Sequence, residues 1–71
     1  LPPPRPGEPN LDYDILLRAA RNALAIGNLE EALRRYEILL ERFPDDLVSR
    51  SEYAGVLVQA KKLREASTQF Q

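Results

Sequence analysis

Five pairs of residues in this 71-residue chain recur at a single separation, and this regularity constrains the fold more than any other feature. In each pair the second residue follows the first by 34 positions; the pairs are Leu29 and Leu63, Glu31 and Glu65, Ala32 and Ala66, Tyr36 and Phe70, and Ala20 and Ala54. A repeat of this length is typical of a helix–turn–helix unit that buries its apolar face against neighbouring units. We therefore expect an all-α chain of antiparallel helix pairs, part of a solenoid.

Apolar residues at helical spacing predict a first helix over residues 11–26. Asn10 or Asp12 is expected to cap its start, because either side chain can accept a hydrogen bond from the free first-turn amides. Gly27 is expected to end the helix, because glycine readily adopts the left-handed conformation of a C-terminal cap.

A second helix is expected between Asn28, as its cap, and Pro44, which disfavours helical geometry at the residue before it. Glu30 and Glu31 would lie in its first turn, where the helix dipole favours negative charge. The apolar positions of this second helix are Leu29, Ala32, Leu33, Tyr36, Leu39 and Leu40.

A third helix is expected to start at Asp45 or Asp46 and to end near Ala60. Its apolar stripe would consist of Val48, Tyr53, Ala54, Leu57, Val58 and Ala60. A short break at Lys61 and Lys62 would then lead into a fourth helix over residues 63–71. No alternating β-branched run predicts a strand.

The first ten residues differ in composition from the rest, since residues 1–9 contain five of the six prolines. Proline fixes its own backbone and lacks a donor, so we expect an extended linker over residues 1–10. The alternative is a ligand for a proline-binding domain. The remaining chain divides into a first unit, 11–46, and a second, incomplete unit, 47–71.

In these residues the chain resembles the tetratricopeptide repeat (TPR) family. Ala32 matches the family's small residue in the second helix, Tyr36 its aromatic residue and Pro44 its terminal proline. In the second unit, Ala66 and Phe70 occupy the matching places. The resemblance implies close packing of each helix pair at the small residues, with the aromatic side chain filling the space beside them.

The first helices are less typical of the family than the second ones. Leu16 and Arg50 stand where the family favours Trp or a large apolar residue. Leu39 replaces a favoured Ala, and Lys61 replaces a frequent Gly. These departures leave the packing within the first helix pair open.

Composition argues against catalysis and against nucleic acid as a partner. The chain has no Cys and no His, which removes the usual thiolate nucleophile, general base and metal ligands. Ten basic and eleven acidic residues nearly cancel, whereas nucleic-acid binding depends on a basic surface. No apolar run is long enough for a membrane span. We expect a protein that is not an enzyme, takes no cofactor and does not insert into a membrane.

The resemblance to the TPR family implies a peptide- or protein-binding groove lined by the first helix of each unit. Carried over position by position, the expected groove residues are Leu17, Arg18, Arg21, Leu24, Ser51, Gly55, Val58 and Gln59. The Lys, Asn and Arg set with which some relatives hold a C-terminal carboxylate is not present at the matching places. An apolar segment carrying some acid would suit this groove, although Leu17, Leu24 and Val58 could equally be core residues.

The chain starts at Leu1 and stops inside the expected fourth helix, so we expect a fragment of a longer protein. The apolar face of the last unit would then lack its next neighbour. We expect the fragment to self-associate through Leu57, Leu63, Ala66 and Phe70.

The expected function is a protein–protein interaction scaffold. The alternative is a structural spacer or a self-association module without its own ligand. Bacterial relatives that the chain resembles often sit in secretion or envelope and exopolysaccharide assembly systems, and the resemblance implies such a setting. Localisation stays open between the bacterial cytoplasm and periplasm.

Overall fold

The computed structural model describes residues 11–69, and within this range the chain forms three α-helices and no strand. Helix α1 spans Leu11–Ala25, α2 spans Leu29–Arg42 and α3 spans Leu47–Gln69. The short connections make consecutive helices antiparallel, and α2 packs against both α1 and α3. The all-α prediction is confirmed. The expected linker with its cap at Asn10, and residues 70 and 71, lie outside the described residues.

The turn between α1 and α2 follows the prediction for Gly27. This residue has φ +83°, and its amide donates to the Leu24 carbonyl at 3.0 Å. The next amide, of Asn28, donates to the Ala23 carbonyl at 3.0 Å. Together these two bonds form a Schellman motif, which satisfies carbonyls left free at the end of α1.

Both later helices begin at a side-chain cap. Asn28 Oδ1 accepts a hydrogen bond from the Glu31 amide at 3.2 Å, so the predicted cap of α2 is confirmed. Of the two candidate caps for α3, Asp46 performs the role, since its Oδ2 accepts from the Ser49 amide at 3.1 Å. Each cap satisfies an amide that the first turn leaves without a helical partner.

The core lies where α1 and α3 pack onto α2. Ala20 and Ala32 are fully buried, as are Tyr36 and Leu39, and Val56 is 1% exposed. The close approach expected at Ala20 and Ala32 is therefore present between α1 and α2. At the second unit this expectation is wrong, because the side chains of Ala54 and Ala66 are exposed.

Helix α3 is continuous, so the predicted break at Lys61 and Lys62 and the predicted fourth helix are wrong. The reason is local. In the first unit a glycine and a helix cap, Gly27 and Asn28, form the turn, and 34 residues later two lysines stand in their places. Lysine is a good helix former and does not cap a helix start, so nothing stops the helix before Gln69.

The face that α3 turns toward α2 also differs from the predicted stripe. Ser49 and Val56 are buried there, and Tyr53 and Ala60 are half-buried. These four positions are spaced as one helical face. Of the predicted stripe, the side chains of Val48, Ala54, Leu57 and Val58 are exposed. Among residues 11–69, no helix is both long and apolar enough to cross a membrane.

Candidate protein-binding groove

Helices α1 and α3 run in the same direction and are joined at one end by an ion pair. Arg21 Nε donates to Glu52 Oε1 at 3.0 Å and Arg21 Nη2 donates to Glu52 Oε2 at 2.5 Å. The hydroxyl of Tyr36, from α2, donates to the same Glu52 Oε1 at 2.7 Å. Glu52 therefore links all three helices.

This arrangement shifts the pKa values of Glu52 and Tyr36, and it raises that of Arg21. The bond from Arg21, together with that from Tyr36, lowers the pKa of Glu52 because both donors favour its ionised form. Burial and the bond to Glu52 raise the pKa of Tyr36 to about 12. Arg21, predicted as a groove cation, thus has its charge largely balanced by Glu52.

A second bond, between Tyr13 and Asp46, links the first turn of α1 to the start of α3. Tyr13 donates to Asp46 Oδ2 at 2.6 Å, and its ring meets that of Phe43 edge to face at 5.4 Å. This bond raises the pKa of Tyr13 to about 12. Burial alone would raise the pKa of Asp46, but the bonds from Tyr13 and Ser49 outweigh it, so that pKa lies below its ordinary value.

A second tyrosine–glutamate bond joins α2 and α3 on the surface. Tyr53 donates to Glu37 Oε2 at 2.8 Å, whereas the Tyr36–Glu52 bond is part-buried. The two bonds have the same sequence separation, 16 residues, and run in opposite directions. The sequence alone does not pair these residues, because the partner of each hydroxyl depends on how α2 and α3 align.

The predicted groove residues fall into two groups. Leu17 is buried and Leu24 is half-buried against the core, as the core interpretation expects. The other six are exposed: Arg18, Arg21, Ser51, Gly55, Val58 and Gln59.

The α1 side of this face contains a shallow depression of about 360 Å³. It is lined by Asp14, Leu17, Arg18, Arg21 and Asn22. On the α3 side, a Cβ placed on Gly55 would meet no atom within 4 Å. The face is therefore open along both helices, with a cation at Arg18 that makes no ion pair within residues 11–69.

The residues predicted for self-association do not share one face of α3. Leu57 and Leu63 are six residues apart, which places them about 120° from each other around a straight helix. Leu63 lies beside Leu29, with Gln59 and Lys62, around a depression of about 330 Å³. Ala66 is exposed, and Phe70 lies outside the described residues.

One member of each adjacent carboxylate pair, Glu30–Glu31 and Asp45–Asp46, has a structural partner. Glu31 forms ion pairs with Arg35 at 2.8 Å and Arg34 at 3.6 Å, and Asp46 caps α3. Across the described part of the chain, no group of three or more His, Cys, Asp or Glu residues is placed to hold a metal ion.

Comparisons with known proteins were made with family models, curated proteins and solved structures, and none of the three returned a match to this chain. The resemblance to the TPR family therefore rests on the 34-residue spacing and the matching residues alone.

Proposed function

We propose that this chain is a TPR-type interaction module that holds a peptide or partner protein along the face formed by α1 and α3. The observation that carries the proposal is the pairing of these two helices. Two side-chain bonds, Tyr13 to Asp46 and Arg21 to Glu52, link α1 to the start of α3, while Arg18, Gly55 and other side chains along the same face stay exposed. Two linked helices with an open face offer a preorganised binding surface.

The chemistry of the face suits a ligand with an acidic group near a small apolar side chain. Arg18 supplies a cation without an ion-pair partner among the described residues, and Arg guanidinium groups bind carboxylates bidentately. Gly55 leaves room for a side chain to approach the α3 backbone. Arg21 contributes less, because Glu52 already accepts two of its hydrogen bonds.

The test is selection of peptides from a random phage-displayed library on the immobilised 71-residue chain, followed by calorimetric titration of the selected peptide. Two substitutions address the face: Gly55→Leu fills the open space and Arg18→Ala removes the cation. Each should weaken binding by about tenfold or more, which corresponds to about 1.4 kcal/mol.

Two matched substitutions serve as controls. Gly55→Ala adds a single methyl group at the same position, and Arg34→Ala removes an arginine from α2 instead. Both should change affinity by less than about twofold, a small effect on the free energy of binding. Failure to select any peptide, or equal losses in the controls, would overturn the proposal.

A further inference from the structure

Continuous α3 leaves one long face without a packing partner among residues 11–69, next to the side that contacts α2. We call it the outer face of α3; it is formed by Leu47, Arg50, Ala54, Leu57, Val58 and Lys61. Leu47 is 74% exposed, Leu57 43% and Val58 53%. At 3.6 residues per turn these side chains occupy one sector of about 100°, which borders the sector of Ser49, Tyr53 and Val56 that faces α2.

The outer face is the counterpart, 34 residues later, of the face with which α1 receives α2. Ala54, Leu57 and Val58 correspond to Ala20, Ala23 and Leu24. In α1, Ala20 and Ala23 belong to the same buried cluster as Ala32 and Tyr36 of α2, and Leu24 packs against that cluster. The outer face therefore repeats a surface that already accepts an antiparallel helix within this chain.

Charge around the outer face selects the kind of helix that fits. Arg50 and Lys61 lie on it and Arg64 lies at its edge, against the single acid Glu65. Arg50 uses one donor on the Pro44 carbonyl and retains others. A second copy of the same face would place these cations against each other, whereas an acidic partner would neutralise them.

We propose that the outer face of α3 binds an amphipathic helix of another protein, antiparallel to α3, with a leucine–alanine–aromatic stripe flanked by acidic residues. The stripe follows the spacing of Leu29, Ala32 and Tyr36, which cover the matching face of α1. The small residue Ala54 favours a helix over a lipid surface, because it allows two helix backbones to approach closely. This surface differs from the groove proposed above, and only Val58 borders both.

The experiment uses the 71-residue chain and a synthetic peptide with the sequence of α2 in which Arg34 and Arg35 are replaced by Glu. A control peptide keeps the same apolar stripe, retains both arginines, and has Glu30 and Glu31 replaced by Lys. Calorimetric titration at low salt should show the acidic peptide binding about tenfold more tightly than the control, and added salt should reduce the difference. Equal affinity for the two peptides, or no binding at peptide concentrations near 1 mM, would overturn the proposal.

Two substitutions in the chain locate the site. Leu57→Glu places an anion in the middle of the outer face and should reduce affinity for the acidic peptide by about tenfold or more. Ile15→Glu changes an exposed apolar residue on α1 and should leave affinity within about twofold. Because both side chains are exposed, far-UV circular dichroism should show unchanged helicity. A peptide that binds the Leu57→Glu variant as well as the original chain would refute this site.

Two further measurements separate other occupants of the same face. Sedimentation velocity would reveal a dimer that Leu57→Glu dissociates, and this result would assign the face to a second copy instead. If the chain cosediments with phosphatidylglycerol vesicles, the Leu57→Glu variant does not, and no peptide binds, the outer face would be assigned to an anionic membrane surface. A monomer that does not cosediment with the vesicles and binds the acidic peptide supports the proposal.

Discussion

Removing the acceptor at Glu52 should destabilise the fold mainly through Tyr36 and not through Arg21. Tyr36 is fully buried, and its hydroxyl donates to Glu52 Oε1. Glu52→Ala leaves this buried donor without its partner, which costs about 1–3 kcal/mol. The ion pair adds little because the Arg21 side chain is 53% exposed.

Two further variants isolate the hydroxyl. Glu52→Gln keeps an oxygen that can accept from Tyr36, so it should cost less than about 1 kcal/mol. Tyr36→Phe combined with Glu52→Ala removes both members of the bond and should be more stable than Glu52→Ala alone, since no buried donor is left unpaired. The residue 34 positions after Tyr36 is Phe70, so a ring without a hydroxyl already occupies the repeat-equivalent position.

The assay is urea unfolding followed by circular dichroism at 222 nm. With a denaturant dependence of about 1 kcal/mol/M, expected for a chain this small, Glu52→Ala should lower the midpoint by about 1–3 M. Glu37→Ala is the matched control, because it breaks the Tyr53 bond of equal sequence separation on the surface. It should cost less than about 0.5 kcal/mol. Equal losses for Glu37→Ala and Glu52→Ala, or a double variant no more stable than Glu52→Ala, would refute the reasoning.

Three other predictions concern stability and helix length. The pKa values of Asp46 and Glu52 are lowered, and those of Tyr13 and Tyr36 are raised to about 12. The urea midpoint should therefore decrease as the pH drops below about 4, where the carboxylates become protonated, and decrease again as the pH rises from about 10 to 12, where the tyrosines ionise. A midpoint that stays constant across either range would contradict these assignments. Gly55→Ala should stabilise the fold by about 0.5–1 kcal/mol, because Gly55 lies in the middle of a helix. Gly27→Ala should destabilise it by about 1–2 kcal/mol, because φ there is +83°. Melting temperatures that shift in the same direction for both variants would contradict this difference. Lys61→Gly with Lys62→Asn should end α3 near Ala60, which backbone chemical shifts of residues 61–68 would report; helical shifts throughout would refute our explanation of the continuous helix.

Local signals in the sequence predicted the turn between α1 and α2 well. Gly27 and Asn28 act through their own backbone and the next few amides, so their roles do not depend on distant packing. Asp45 and Asp46 could not be separated beforehand. Both can cap a helix, and the choice of Asp46 follows from its position relative to Ser49 and from the bond donated by Tyr13.

Packing between helices was harder to predict, and α3 shows why. Its apolar residues are spread around the helix more evenly than those of α2, so periodicity alone does not select the buried side. Apolarity favoured Leu57 and Val58, yet α2 contacts the side that carries Ser49 and Val56. Ser49 can be buried there because it bonds to its own helix cap, Asp46.

The continuous α3 and the open outer face have the same origin at Lys61 and Lys62. If a turn formed there, the segment from Leu63 onward could fold back onto Ala54 and Leu57, as α2 folds back onto α1. The double variant Lys61→Gly, Lys62→Asn should therefore weaken binding of the acidic helical peptide, because the chain's own segment would compete for the outer face. The affinity of a peptide selected for the groove should change much less, since Arg18 and Gly55 lie on a different side. If the variant shortens α3 but leaves the affinity for the acidic peptide unchanged, the peptide does not bind on the outer face.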